Sequence, residues 1–279
     1  MKILRFTYHM ELRFSQPVTD NNFTFRCFPK TDEYQKITDR QMDIQPCDWT
    51  GAGVDSFGND YVYGVNESSH SRLYIGVAGN AQTGLSEGTV AAPREECGIF
   101  LSNGPLTSPG PAIYALDREL SASGTDGPAR AGEDQVNLPY KLCHGVYQYM
   151  KYSPGVTHFG TTAESACSGR EGVCQDYAHI LLSLLRMHKI PCRYVAGIMV
   201  GTGKSHAWVE AWQNGRWIGY DPTNDTCVTD NHICFAHGRN CMDTLVNRGV
   251  FRGGAMQKMF VTATAVEVGL ESYFSSEQG

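Results

Sequence analysis

Nowhere in the 279 residues is there an apolar run approaching a membrane span, which needs about 20 such residues. Basic residues are not in excess: 23 Lys and Arg stand against 29 Asp and Glu, a net charge of −6. That balance argues against a nucleic-acid partner held through phosphates. The ten cysteines include no Cys-x-x-Cys pair and keep no regular spacing. A small disulfide framework and a zinc knuckle both lack their usual signature. Internal repeats and low-complexity tracts are missing too. The opening residues, MKILRFTYHMELRF, lack the apolar centre and small-residue cleavage site of a leader and read as a strand. The expectation is a reduced, cytoplasmic protein without a membrane contact.

What is present centres on residues 169–224. From Val173 to Ile190 the chain has no Gly or Pro, and Pro191 stops it, so a helix is predicted. The segment is apolar over most of its circumference, as in a centrally buried helix. Cys174 falls in its first turn, after Gly172, where outward N–H groups and the helix dipole favour a thiolate. Three strands are predicted beyond it, over 193–200, 205–212 and 216–220. Asn214-Gly215 is a two-residue hairpin signal. Such a turn pairs Gln213 with Arg216, sets Trp208 opposite Asp221, and leaves His206 diagonal to Asp221 on one sheet face. A thiol, an imidazole and an orienting carboxylate form a nucleophilic triad if the helix docks on that face. A buried structural Cys, a core His and a turn Asp would be the plain alternative.

These residues, Gly172-Val-Cys-Gln-Asp-Tyr-Ala-His, Ser205-His-Ala-Trp-Val-Glu and Asp221-Pro-Thr-Asn, resemble the transglutaminase-like superfamily. Gly160-Thr-Thr-Ala-Glu, Ile190-Pro-Cys-Arg-Tyr-Val and Ala236-His-Gly-Arg are similar to family segments as well. The chain looks most like the bacterial cysteine-protease-like branch, in which a β-rich N-terminal domain precedes the core. The resemblance implies an α+β protein with a papain-like core and no cofactor. It implies Cys174 as nucleophile, His206 as general base and Asp221 as its orienter. Asn240 stands where the family often has Asp, which leaves that position without a carried-over role.

Residues 1–104 are expected to form an antiparallel sandwich of five strands, over 3–14, 22–27, 35–45, 60–66 and 71–78. Residues 105–279 are expected to form the catalytic core. Pro/Gly-rich stretches at 104–111 and 123–134 read as loops, and 113–120 and 138–151 as helices. Thr161-Thr-Ala-Glu matches a capping box before a short helix at 162–167. Gln175, through its backbone N–H, is a candidate oxyanion donor beside Cys174, and Trp208 a candidate wall of the site. His179 reads as a structural histidine. Cys227, His232, Cys234, His237 and Cys241 are close enough in sequence to be weighed as metal ligands, but packing cysteines and surface histidines account for them better.

The chemistry expected is attack of a Cys174 thiolate on a peptide or amide carbonyl. Water then completes a hydrolysis, or an amine completes a glutamine–lysine cross-link. Asp176 and Glu210 would favour the amine if both lined the site. A non-catalytic scaffold is the third reading.

Overall fold

A computed structural model describes residues 1–85, 94–122 and 137–269. The predicted loop over 123–134 lies outside the described residues. The first strands are β1 (Lys2–Phe25), β2 (Gln35–Gln45), β3 (Trp49–Val54), β4 (Asp60–Asn66) and β5 (His70–Thr83). A 3₁₀ turn (Arg94–Leu101) leads to the helices α1 (Pro111–Ala122) and α2 (Leu138–Tyr149). Then come β6 (Lys151–Tyr152), α3 (Ala163–Gly169), β7 (Glu171–Gly172) and α4 (Cys174–Met187). The remainder is all strand: β8 (Cys192–Met199), β9 (Gly201–Gly203), β10 (His206–Gln213), β11 (Arg216–Asp221), β12 (Thr226–Cys227), β13 (His232–Gly238), β14 (Asn247–Arg252) and β15 (Gln257–Glu267).

The architecture is α+β, but the N-terminal strands do not form the self-contained sandwich expected. They build one bent, antiparallel, eight-stranded sheet around β1, and β9, β14 and β15 from the far end of the chain join it. Eleven residues of β15 pair with Leu4–Phe14. The two strands anticipated over 3–14 and 22–27 are one strand. The residues between them act as irregularities in the ladder rather than a turn, with register shifts after Arg13 and Thr19 and a positive φ of 48° at Asp20. β3 escaped sequence reading because Gly51 and Gly53 depress its strand signal. Their missing side chains are filled by neighbours: an added Cβ would stand 2.7 Å from the Tyr63 ring at one and 2.7 Å from the Tyr61 ring at the other.

The second sheet, in the order β12-β11-β10-β8-β13, carries the helices on one face. Ile180, Leu181, Leu184 and Leu185 of α4 share a buried cluster with Ala207, Val209, Ala211 and Tyr220. Farther along the same strands, Ile198, Ile233 and Phe235 join the core of the first sheet, where Tyr8 meets Phe235 edge-on at 5.3 Å. Two side-chain amides stitch the unpaired edge of β13, which is buried. Gln35 accepts from Cys234 N and donates to Cys234 O, and Asn59 does the same at His237. Each thereby satisfies a pair of main-chain groups that an edge strand leaves open. Among the described residues, no helix is long and apolar enough to cross a membrane.

Candidate active site

α4 begins at Cys174, one residue inside the predicted start at Val173, and ends at Met187, three residues short of the predicted Ile190. Its C-cap is His188, and Lys189 turns the chain with a φ of 59°. At the other end Asp176, at the third helical position, turns back to accept the backbone N–H of Val173 at 2.8 Å and the Thr157 hydroxyl at 2.7 Å. This carboxylate is buried, which raises its pKa, although the bonds from Thr157 and Val173 oppose the rise. Gly172 is required because an added Cβ would lie 2.6 Å from Oδ2 of Asp176. The cap therefore sets how the chain enters the helix just ahead of the thiol. The Thr161 capping box is displaced by one residue: Thr162 caps α3, accepting from Ser165 N at 3.1 Å. Glu164 caps the neighbouring helix α1 instead, through the N–H groups of Gly110, Ala112 and Ile113.

The β10–β11 hairpin has the predicted register, from Gln213 opposite Arg216 to Val209 opposite Tyr220. Asn214 and Gly215 have φ of 50° and 83°, as a two-residue turn of the primed type requires. At the far end of the hairpin His206 Nε2 lies 2.7 Å from Oδ2 of Asp221. The carboxylate is fully buried and anchored on both oxygens. Thr223 N and Asn224 N donate to Oδ1 at 3.0 and 3.3 Å, and Asn224 Nδ2 donates to Oδ2 at 2.7 Å. Burial alone would raise its pKa, but His206, His232 and Asn224 together hold it well below the usual carboxylate range. The His206 ring is buried, which works against its charge, yet its hydrogen bond to Asp221 and the nearby sulfur of Cys174 outweigh this and raise its pKa to about 10. Since Nε2 serves Asp221, Nδ1 is left for the sulfur.

One expectation about this arrangement fails. α4 does not dock on the face of β10 that bears Trp208 and Glu210; it packs on the face of Ala207, Val209 and Ala211. His206, as the first residue of the strand, sits at the sheet margin, where Cys174 reaches it. Trp208 is buried behind the imidazole, its ring 6.2 Å from that of His206, and its own face borders a cavity of about 300 Å³ on the side away from α4. It backs the site rather than walling the thiol. Gln175 stands beside Cys174 in the first turn, but its side-chain amide is committed to Phe159 O at 3.2 Å, which leaves only its backbone N–H for an oxyanion. The two acids that would recruit an amine are both occupied: Asp176 is the buried cap, and Glu210 pairs with Arg193 at 2.5 Å.

Sequence reading took His232 and His237 for surface histidines, but both are buried, and it gave His232 no part beside Asp221. The suspected cluster over 227–241 disperses. Cys234 faces Gln35 and Cys241 N bonds His179, whereas His232 places Nε2 3.7 Å from Oδ2 of Asp221. Among the described residues, His206, Asp221 and His232 are the group of potential metal-ligating atoms that converge, all within 4.8 Å. Their signal was available only as a histidine eleven residues beyond Asp221, because β13 lies at the far edge of the sheet from β11. His179 is the structural histidine anticipated: it is fully buried, and its Nε2 accepts from Cys241 N at 3.3 Å.

Reactivity should single out Cys174. It is half-buried at a helix start beside an imidazole, whereas burial raises the thiols of Cys167 and Cys192 to about 11 and of Cys241 to about 12, and pushes Cys27 and Cys234 higher still. Limited iodoacetamide treatment near neutral pH, mapped by mass spectrometry, is expected to label Cys174 first. Equal labelling of Cys227 or Cys47 would contradict this.

The histidines also predict how stability depends on pH. Burial, aided by Arg186, lowers His179 from 6.5 to about 3, and burial with Arg193 and Lys30 lowers His237 to about 2. Unfolding lets both take up protons, so their contribution is complete above pH 6.5 and is lost as the pH falls towards 3. His206 runs the other way: its contribution is complete below pH 6.5 and is lost as the pH rises through about 10. Each group changes stability by at most about 1.4 kcal/mol per pH unit within its window. Urea midpoints should therefore peak near pH 6.5. A midpoint that climbs steadily from pH 5 to 9 would refute the assignment.

Three comparisons bear on this geometry. Residues 125–222 match the transglutaminase-like superfamily, a range that includes Cys174, His206 and Asp221, and residues 4–82 match the bacterial transglutaminase-like N-terminal region. An uncharacterised protein of Mycobacterium leprae is 40% identical over 114 residues, covering 37% of this chain and 40% of that one. The chain thus spans well under half the length of that relative. An uncharacterised protein of Mycobacterium tuberculosis is 25% identical over 280 residues, 88% of this chain and 86% of its own. The crystal structure of a candidate cysteine protease from Cytophaga hutchinsonii superposes with a TM-score of 0.73 at 20% identity, over 97% of this chain and 93% of that one. At that identity the likeness establishes a shared fold.

Proposed function

We propose that this chain, whose residues 125–222 match the transglutaminase-like superfamily and residues 4–82 the bacterial transglutaminase-like N-terminal region, is a member of that superfamily and hydrolyses a peptide or amide bond through a thioester on Cys174. The observation that carries this reading is His206 bonded to the buried Asp221 at 2.7 Å, with the sulfur of Cys174, at the start of α4, near enough to help raise its pKa.

The chemistry follows from those positions. With the His206 pKa raised to about 10, the thiol's proton resides on its Nδ1 before substrate arrives, so the resting site is a thiolate beside an imidazolium whose charge Asp221 stabilises. The sulfur attacks the carbonyl carbon, and the oxygen becomes an anion. The backbone N–H groups of Cys174 and Gln175, in the first turn of α4 and so without intrahelical partners, are the donors that supply an oxyanion site. The imidazolium then gives its proton to the leaving nitrogen, the C–N bond breaks, and a thioester remains. A water deprotonated by His206 attacks it, releasing the acid and restoring the thiol.

Water is favoured over an amine as the second nucleophile because the carboxylates that would attract an ammonium are spent. Asp176 is buried in a cap and Glu210 is neutralised by Arg193. Peptide digests incubated with the protein, with and without a primary amine, test this by mass spectrometry. New carboxyl termini or deamidated side chains, little changed by the amine, are expected. Products carrying the amine in large excess over hydrolysed ones would replace hydrolysis by amine transfer. The cytoplasm, where thiols stay reduced, is the setting in which a free catalytic cysteine works without protection.

A further inference from the structure

His232 opens β13, and its side chain is 3% exposed. Its Nδ1 accepts the backbone N–H of Thr229 at 3.3 Å, within a turn that His232 N closes on Thr229 O at 3.2 Å. An imidazole that accepts an amide proton at Nδ1 carries its own proton on Nε2. That Nε2–H is buried without a hydrogen-bond partner, and Oδ2 of Asp221 stands 3.7 Å away. Trp208 packs edge-on against the ring at 5.3 Å. Gly197 makes the approach possible. It pairs with His206 on one side and Cys234 on the other, and an added Cβ there would lie 2.1 Å from Ile233 O and 2.6 Å from the Trp208 ring.

We infer that His232 is a positioning residue of the acyl-transfer site, presenting its Nε2–H to Oδ2 of Asp221 so that the carboxylate keeps His206 aimed at Cys174. This rests on the cysteine-enzyme reading above. The other donors to Asp221 come from its own turn, Thr223 and Asn224, or from His206 itself. His232 approaches from the opposite edge of the sheet and so ties the carboxylate to the body of the fold. A buried carboxylate is costly unless donors surround it, and a donor on a separate element restrains its rotation as well. The same tautomer argues against metal ligation by this trio, since the Nε2 lone pair that a metal needs is occupied by the proton that the Thr229 amide places there.

The groups that face Asp221 are His206 from β10, His232 from β13 and Cys143 from α2, with Asp225 and Cys227 beyond. The test compares His232→Leu with His232→Gln in the full chain. The leucine variant should lose roughly ten-fold in kcat with KM little changed, the scale of one hydrogen bond to a charged group. Its pH profile for Cys174 alkylation should move up by about one unit, because a less firmly held His206 stabilises the thiolate less. Glutamine, which keeps an N–H donor, should restore most of both. His232→Met supplies the same comparison if the leucine variant does not fold. Unchanged rate and profile in the apolar variants would overturn the inference. So would protection of wild-type Cys174 by micromolar zinc that is lost in His232→Gln, which would make the trio a metal site. The alkylation profile needs no substrate, so a shift without any hydrolysis would sink the proposed activity and leave His232 in its role.

Discussion

Cys174→Ala is expected to abolish product formation, and His206→Ala to slow it by about 10²–10⁴-fold. The difference in severity follows from the parts each residue plays. Without sulfur no thioester forms and no other described group stands where it could attack. Without the imidazole a thiol remains, still beside the helix-start N–H groups. The two changes should not add: Cys174→Ala with His206→Ala should be no worse than Cys174→Ala alone, because groups that act as one unit fail together. Cys174 is half-buried and alanine favours helices, so the fold should survive, and a circular dichroism spectrum like that of the wild type checks this. Turnover by Cys174→Ala above background would remove the cysteine from the mechanism.

Arg186→Leu should produce the largest loss of stability, about 3–5 kcal/mol, read from urea unfolding. The guanidinium is 2% exposed, in the last turn of α4, and its partners are neutral. Nε donates to Phe100 O at 3.2 Å, Nη1 to the Thr107 hydroxyl at 2.9 Å, and Nη2 to Cys192 O at 3.1 Å and Arg239 O at 2.6 Å. One side chain thus joins the 3₁₀ turn, the connector after it, the start of β8 and the segment after β13. Burial lowers its pKa, so the charge is retained at a cost that these acceptors offset. Leucine fills part of the volume but leaves three carbonyls without these donors, each costing about 1–3 kcal/mol when buried, and the Thr107 hydroxyl with only its bond from Gly104 N. Lysine should not rescue, since a point charge on a single nitrogen cannot reach acceptors lying in several directions. A loss under about 1 kcal/mol in Arg186→Leu would show that water replaces the guanidinium there.

The elements of the candidate site were legible in the residue order, because they are local. A helix without breakers that starts at Cys174, and a hairpin whose register Asn214-Gly215 dictates, are decided by neighbours within a few residues. The His206–Asp221 pair follows from that hairpin alone. The strands over 35–45 and 60–66 were legible for the same reason, since their alternation is internal to each segment. Long-range pairing was not. Nothing within residues 257–267 says that they will lie along β1, because that contact depends on β1 offering an open edge to a strand more than two hundred residues away. Nor does β10 by itself tell which of its faces receives α4: one carries Trp208 and Trp212 beside His206 and Glu210, the other Ala207, Val209 and Ala211, and the choice rests on elements outside the strand. His232 belongs with these. Its spacing from Asp221 carries no period, and it reaches the carboxylate only because β13 folds back beside β8 and Gly197 leaves the way open.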